Sequence, residues 1–498
     1  MPRRRDCLPS CPAPSAVVAA RTQAATHGAS IGVWPLWAAW VGLVIYGSLV
    51  PLDFHPIAVA QAWQQLLDAP MLAVAVQGRA DWIANGVLYL PVGFLGCVAL
   101  LGRQPETASP WRRLLAGAAT LAASTLLALA VEFAQTAFPP RTVSRNDLAS
   151  EAIGSALGML LAQAGAARFH LLLRGLGQGG SPLLKELGLA YALGYGAWAL
   201  FPFDLLLTAQ EWREKLGGPL LGIWLADASV EQGTVRTVAK LALETLVASP
   251  LGALWAAWPS PRQNGMRSRV GLASTLLRAS IVGALIGVLI EAAQLAIASG
   301  LSQGVSLLTR SIGFALGAAA WRGTTALRIE SARAALRRLT TPAVPLYLGL
   351  LTALYDWWRG PWLGLQPALR RLHDDVRFLP LYYHYYSTEA HAVTSMAVVI
   401  AGYAPVSLIC WAWSIDAWLA GALAALLAAM VEAGRLMAGG KPDPSNVGIA
   451  WIGVWGLGRL LSLLSAPRPA EAGRPPWGSS KVAKPYLLES RPAARGMR

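Results

Sequence analysis

Apolar stretches of about 20 residues recur along the whole chain, each long enough to cross the hydrocarbon of a bilayer as a helix. They lie near 32–52, 82–101, 114–137, 147–167, 183–203, 238–258, 272–298, 305–321, 342–358, 393–413, 415–437 and 446–464. The stretch 305–321 is short and 342–358 is interrupted. The pattern predicts an all-α, polytopic transmembrane protein of about twelve helices. Between these stretches, 53–80, 204–237 and 359–392 carry apolar and aromatic residues such as Trp63, Trp212, Trp362 and Tyr382, Tyr383, Tyr385 and Tyr386. Interfacial or re-entrant helices are expected there, because Trp and Tyr favour that depth.

The pattern repeats on a larger scale. Residues 81–158 superpose on 240–317 without a gap, at a constant offset of 159. Pro91 meets Pro250, Gly93 meets Gly252, Glu132 meets Glu291, Gln135 meets Gln294, Gly154 meets Gly313 and Gly158 meets Gly317. Upstream, Pro51-Leu52-Asp53 matches Pro202-Phe203-Asp204. A fainter third copy has Pro405 as its in-helix proline, and Glu432 stands 26 residues before Gly458, as Glu132 does before Gly158. A Glu in the same place of each third helix is not chance scatter, since mid-segment charge costs on the order of 3 kcal/mol. The expected organisation is a tail (1–30), a four-helix unit (31–170), degenerate second (181–325) and third (341–465) units, and a disordered Pro/Arg/Gly-rich tail (466–498).

Composition agrees. Of 498 residues 55% are hydrophobic and 13% charged, about half the charge of a soluble protein. The net charge of +15 does not call for nucleic acid, because the basic residues sit in loops and tails. Placing the termini and even-numbered loops inside assigns 26 Lys/Arg to the cytoplasm and 14 to the other side, with Arg278 within a helix. Both termini are therefore expected in the cytoplasm. Arg3, Arg4 and Arg5 are followed by no hydrophobic core until about Ile31, which reads as a cytoplasmic arm and not a signal peptide. Four scattered cysteines form no disulfide framework; Cys97 and Cys410 read as packing residues, and Cys7 with Cys11 as no metal site.

Helix direction locates the candidate chemistry. In the first unit Asp81 and Asn85 open the second helix, Glu132 and Gln135 close the third, and Arg141 and Arg145 precede Asp147 and Glu151 at the start of the fourth. All lie at the outer end, and Asp81/Asn85, Glu132/Gln135 and Asp147/Glu151 each share a helix face. The later copies look electrically quiet. Lys240 and Glu244 replace Asp81 and Asn85 as an i,i+4 pair, Ser306 replaces Asp147, and Arg310 replaces Glu151 in reach of Glu291. Glu432 has Arg435 one turn away. Copy one alone keeps an acidic excess that demands a proton, a cation or a polar ligand. Pro91, Gly93, Gly154 and Gly158 are assigned structural roles.

The motifs Asp81-Trp82-Ile83-Ala84-Asn85, Leu90-Pro91-Val92-Gly93-Phe94 and Glu132-Phe133-Ala134-Gln135, followed by Arg141, Asp147, Gly154 and Gly158, resemble the VanZ-like family of bacterial membrane proteins. Glu151 departs from the pattern, where such sequences commonly have Asn. The resemblance implies a bacterial cytoplasmic (inner) membrane location and a cell-envelope theme linked to glycopeptide resistance. Long multi-unit versions are similar to proteins encoded with envelope polysaccharide export systems, which makes that machinery an expected partner.

The leading expectation is a protein that binds or handles an envelope lipid, a lipid-linked saccharide or a peptidoglycan precursor at the outer leaflet, without a cofactor. Carboxylates, amides and two arginines suit sugar hydroxyls and phosphates. An intramembrane hydrolase or transferase using Glu132 or Glu151 ranks behind it, since no nucleophile motif, HExxH or phosphate-cradling Gly loop is present. A metal built on His55 and Asp53 with the acids is a lesser reading. A proton-coupled transporter is the third class, weakened because four-helix repeats insert in the same orientation, unlike inverted transporter repeats.

Overall fold

A computed structural model describes residues 32–465, apart from 72–75, 140, 142, 179–180, 202, 232–233, 259–270, 325–328, 359 and 386–388. The two tails, with Cys7 and Cys11, fall outside the described residues, as does Pro202.

The chain is an all-α, multi-pass membrane protein. A helix stands at each of the twelve expected stretches: α1 (Val33–Leu49), α3 (Val76–Leu101), α4 (Pro110–Gln135), α5 (Arg145–Gln178), α6 (Ser181–Leu200), α9 (Thr234–Ala257), α10 (Leu272–Leu295), α11 (Val305–Thr324), α12 (Ile329–Leu354), α15 (Glu389–Ala412), α16 (Ala417–Met437) and α17 (Ser445–Ser465). Seven of the described helices are long and apolar enough to cross a membrane, and Val33–Leu49 is apolar but shorter. The interrupted stretch 342–358 falls in the longer α12 as far as Leu354, its last four residues forming turns beyond the helix end, and α12 holds Pro342 and Pro345. Short helices occupy the three aromatic connections: α2 (Val59–Leu67), α7 (Ala209–Leu216), α8 (Asp227–Glu231), α13 (Leu365–Asp374) and α14 (Tyr382–Tyr385). None could span a bilayer. The described sheet is a two-residue parallel pair, β1 (Leu221–Gly222) on β2 (Ser302–Gln303).

Local chemistry sets several of the ends. Ser109 accepts from the Arg112 N–H before Pro110 starts α4, and Asp416 accepts from the Trp418 N–H at the head of α16. Thr208 and Glu211 form a capping box on α7. Glu211 also receives both terminal nitrogens of Arg79, at 2.9 and 3.0 Å, tying the loop after α6 to α3. That hydrogen bond, with the Leu207 N–H, holds the Glu211 carboxyl down at about 2.

The helices meet through glycine. A β-carbon on Gly93 would lie 2.0 Å from the Ser155 carbonyl oxygen, on Gly154 1.9 Å from that of Gly86, and on Gly158 2.0 Å from that of Leu90. No side chain fits there, so α3 and α5 touch backbone to backbone, as small residues permit in lipid. At the same spacings α9 and α11 meet through Gly252 on Phe314, Gly313 on Thr245 and Gly317 on Ser249. Gly458 in α17 is looser, its nearest neighbour being the Ala417 side chain at 3.2 Å.

Each in-helix proline interrupts the ladder of its helix, since it has no N–H to donate. Ahead of three of them, Pro91, Pro250 and Pro405, an aromatic donor from the preceding long helix serves the carbonyl three residues before the proline. Trp40 donates to Leu88 O (2.9 Å), Tyr191 to Val247 O (2.5 Å) and Tyr347 to Gly402 O (2.8 Å), ahead of Pro91, Pro250 and Pro405. Sequence reading missed these three aromatic residues, because ordinary apolar helices are rich in Trp and Tyr.

Candidate functional site

The end of α4 carries Glu132, 2% exposed, whose carboxylate accepts the Ser144 N–H at 3.3 Å. The loop from α4 thus folds back over the carboxylate before α5 begins. Asn85 on α3 donates to Asp147 on α5 at 2.9 Å, and Trp82 donates to Asn146 O at 2.9 Å. Ser150 donates to Trp82 O, so the opening turns of α3 and α5 are stitched together. One turn further in, Glu151 is 4% exposed. Glu132 and Asp147 act on it as neighbouring charges, and Asp81 acts on Asp147.

Burial therefore rises in steps along this set. Asp81 is exposed, Asn85 and Asp147 are half-buried, and Glu132 and Glu151 are buried. The oxygens buried at the deep end with no hydrogen-bond partner include Oε2 of Glu151 and the hydroxyl of Tyr89, itself fully buried. The Tyr89 hydroxyl also lies within the fields of both glutamates. Sequence reading missed Tyr89, which stands two residues before Pro91 and looks like core.

The remaining candidates do something else. Gln135 donates to Ser48 O at 3.0 Å, pinning α4 to the end of α1, and its Oε1 is buried without a partner. Arg141 donates to Val50 O (3.1 Å) and Gly47 O (2.6 Å), which satisfies carbonyls at the C-terminus of α1. Arg145 donates to Leu67 O at the end of α2. These guanidinium groups thus fasten the ends of neighbouring helices by bonds to main-chain carbonyls, and Arg141 also lies in the field of the Glu132 carboxylate. Asp53 and His55 are exposed at the surface, 3.8 Å apart. Among the described residues no group of three or more His, Cys, Asp or Glu is placed to hold a metal ion. Cavities of about 310 and 210 Å³ lie elsewhere, lined by none of the seven candidates.

The second segment answers the same geometry with a fixed charge. Glu291 accepts the Gln303 N–H at 2.7 Å and pairs with Arg310, whose Nε donates to the Tyr195 hydroxyl at 3.1 Å. Lys240 stands 4.0 Å from Glu244, which also accepts from Thr309 at 2.9 Å. In the third segment Glu432 accepts from the Asp443 N–H (2.9 Å) and from Asn446 (2.7 Å), with Arg435 at 3.8 Å. Asp443 in turn meets His384 at 3.2 Å, both buried. Burial opposes ionisation of Asp443, but the His384 bond and the Ser445 N–H outweigh it and hold the carboxyl below its ordinary range. His384, Asp443 and Asn446 were not singled out in the sequence; the polar run Asp443-Pro444-Ser445-Asn446 after Gly439 and Gly440 was the available signal.

Comparison with known proteins bears on the first segment. Residues 26–167 match the model of the VanZ/LLP1 family, which covers α1, α3, α4 and most of α5 with every candidate residue. No curated protein and no solved structure matches the chain.

Proposed function

We propose that this VanZ-like unit binds the polar head of an envelope lipid, lipid-linked saccharide or peptidoglycan precursor, at the outer leaflet of a bacterial cytoplasmic membrane. The observation that carries the reading is that Glu151 Oε2 and the Tyr89 hydroxyl, which lies in the field of that carboxylate, are each buried without a partner. A buried carboxylate oxygen and a phenol without partners are costly, and a ligand's hydroxyl, amide or ammonium group would satisfy both. Asn85, Asp147 and Asp81 extend the row of acceptors and donors to the surface, as a saccharide would need. Glu132, already engaged by Ser144, positions the loop and supplies charge; Arg141 and Arg145 hold the frame.

Native mass spectrometry of the full-length protein in detergent tests this reading. A lipid or glycolipid is expected to co-purify with the natural chain and to be lost from Glu151→Gln at normal protein level. Retention of the same species by Glu151→Gln would refute it.

The reading needs the α4–α5 connection outside, and the 26-to-14 division of Lys/Arg supports cytoplasmic termini. Reporter fusions at the C-terminus and within 204–237 are expected to report cytoplasmic and extracytoplasmic positions respectively. An extracytoplasmic C-terminus would put the site on the wrong leaflet.

The three-copy organisation belongs to the same proposal. It is supported by the aromatic donor before each of Pro91, Pro250 and Pro405 and by the main-chain N–H that closes on each of Glu132, Glu291 and Glu432. In that scheme the second and third copies are scaffolds whose buried glutamate is already satisfied. An association with envelope polysaccharide export machinery is the partner this role would call for.

A further inference from the structure

At the other end of the third segment, α12, α15, α16 and α17 surround a cavity of about 310 Å³. Glu432 sits 16 residues along α16 from Asp416, so about 24 Å of helix separates this cavity from the Glu432–Asp443 end. Its walls include Arg333, Trp411, Ser414, Asp416, Arg459 and Ser462. The Arg333 guanidinium lies 4.8 Å from the centre of the Trp411 ring, and its Nε is buried without a hydrogen-bond partner. Arg459 is exposed, with no hydrogen bond or ion pair among the described residues. The one carboxylate in the wall, Asp416, is engaged as the cap of α16 through the Trp418 N–H at 2.7 Å. Two cations against one anion leave the cavity positive, and the N-terminus of a 21-residue helix opens onto it.

Packing alone accounts for Arg333 on Trp411 but not for Arg459, a second guanidinium left free on the same wall. The surroundings give the depth. Trp413 and Trp418, 54% and 60% exposed, flank the cavity, and such indoles sit at headgroup level in a bilayer. Planar guanidinium forks fit phosphate oxygens, and basic pockets between membrane helices hold anionic headgroups.

We propose that this cavity binds a phosphate group, carried by an anionic lipid headgroup or by a soluble phosphate ester, between Arg333 and Arg459. The Ser414 hydroxyl adds a donor, and Trp411 supports the Arg333 fork from behind. The site is independent of the acidic cluster in the first segment.

The test uses the full-length protein in detergent, titrated with phosphatidylglycerol or phosphatidylcholine and read by native mass spectrometry, with inorganic phosphate as competitor. Phosphatidylglycerol is expected to bind at least about tenfold tighter than phosphatidylcholine, and Arg333→Gln and Arg459→Gln each to weaken it by about tenfold. Arg459 is exposed and makes no hydrogen bond or ion pair among the described residues, so Arg459→Gln reads the charge with little risk to the fold. Arg338→Gln, an exposed arginine on α12 outside the cavity wall, should change nothing. Binding of inorganic phosphate that depends on Arg459, with no preference between the lipids, would assign the site to a soluble ester. Absence of any Arg459-dependent binding, or equal loss in Arg338→Gln, would overturn the proposal.

Discussion

Gly154→Ala is expected to collapse the accumulation of folded protein in the membrane, while Gly165→Ala, eleven residues along the same helix, leaves it unchanged or slightly raised. The new methyl at 154 would sit 1.9 Å from the carbonyl oxygen of Gly86, with the Gly86 carbonyl carbon at 2.7 Å. Both contacts are backbone, so no rotamer change relieves them and α3 must move off α5. Overpacking by one methyl in a well-packed core typically costs about 1–3 kcal/mol, and a backbone clash of this size belongs at or beyond the upper end. That separation would also break Asn85 to Asp147 and Trp82 to Asn146. Gly165 has nothing within 4 Å of its added methyl. There the substitution gains about 1 kcal/mol of helix propensity at most. Unfolding in detergent, followed by helix content, compares the pair directly; equal stability of the two variants would mean that the close α3–α5 contact is wrong.

The second large effect is a difference of sign between equivalent positions. Arg310→Gln leaves the Glu291 carboxylate buried with its cation removed, and breaking a buried pair in this way costs about 3–5 kcal/mol. Glu151→Gln does the reverse. It removes a buried carboxylate that has neighbouring acids and an unpartnered oxygen, so stability should hold or rise while ligand retention disappears. Thermal unfolding of the two variants beside the natural protein, with lipid retention measured on the same samples, checks both halves. A destabilised Glu151→Gln would mean that this carboxylate is a structural member of the bundle, and the proposed site would fall with it.

These two predictions draw on different sources. The positions of the twelve helices were legible in the chain, seven of them long and apolar enough to cross a membrane, because length and apolar character are local properties that a window of 20 residues already contains. So was the gathering of Asn85, Glu132, Asp147 and Glu151 at one end, since alternating helix direction settles which ends meet. The pairing of Arg310 with Glu291 followed from the offset of 159 between the segments, and the structure makes that pair.

What the sequence could not supply was the partner of each polar group once the helices packed. Arg141 and Arg145 were read as groups suited to phosphates, and nothing in the sequence signalled that they also bond to carbonyls of Gly47, Val50 and Leu67, up to 94 residues away in the chain. Gly47 and Val50 lie where α1 ends, and a helix end leaves carbonyls that any nearby donor can satisfy. Trp40, Tyr191 and Tyr347 were indistinguishable from other apolar aromatics until their donors met the carbonyls before the prolines. His384 with Asp443 was invisible for the same reason, its halves lying on either side of two long helices. Periodicity and direction determine which faces and ends come together. Only the packed backbone decides which buried oxygen keeps no partner, and in this protein that oxygen, on Glu151, carries the functional reading.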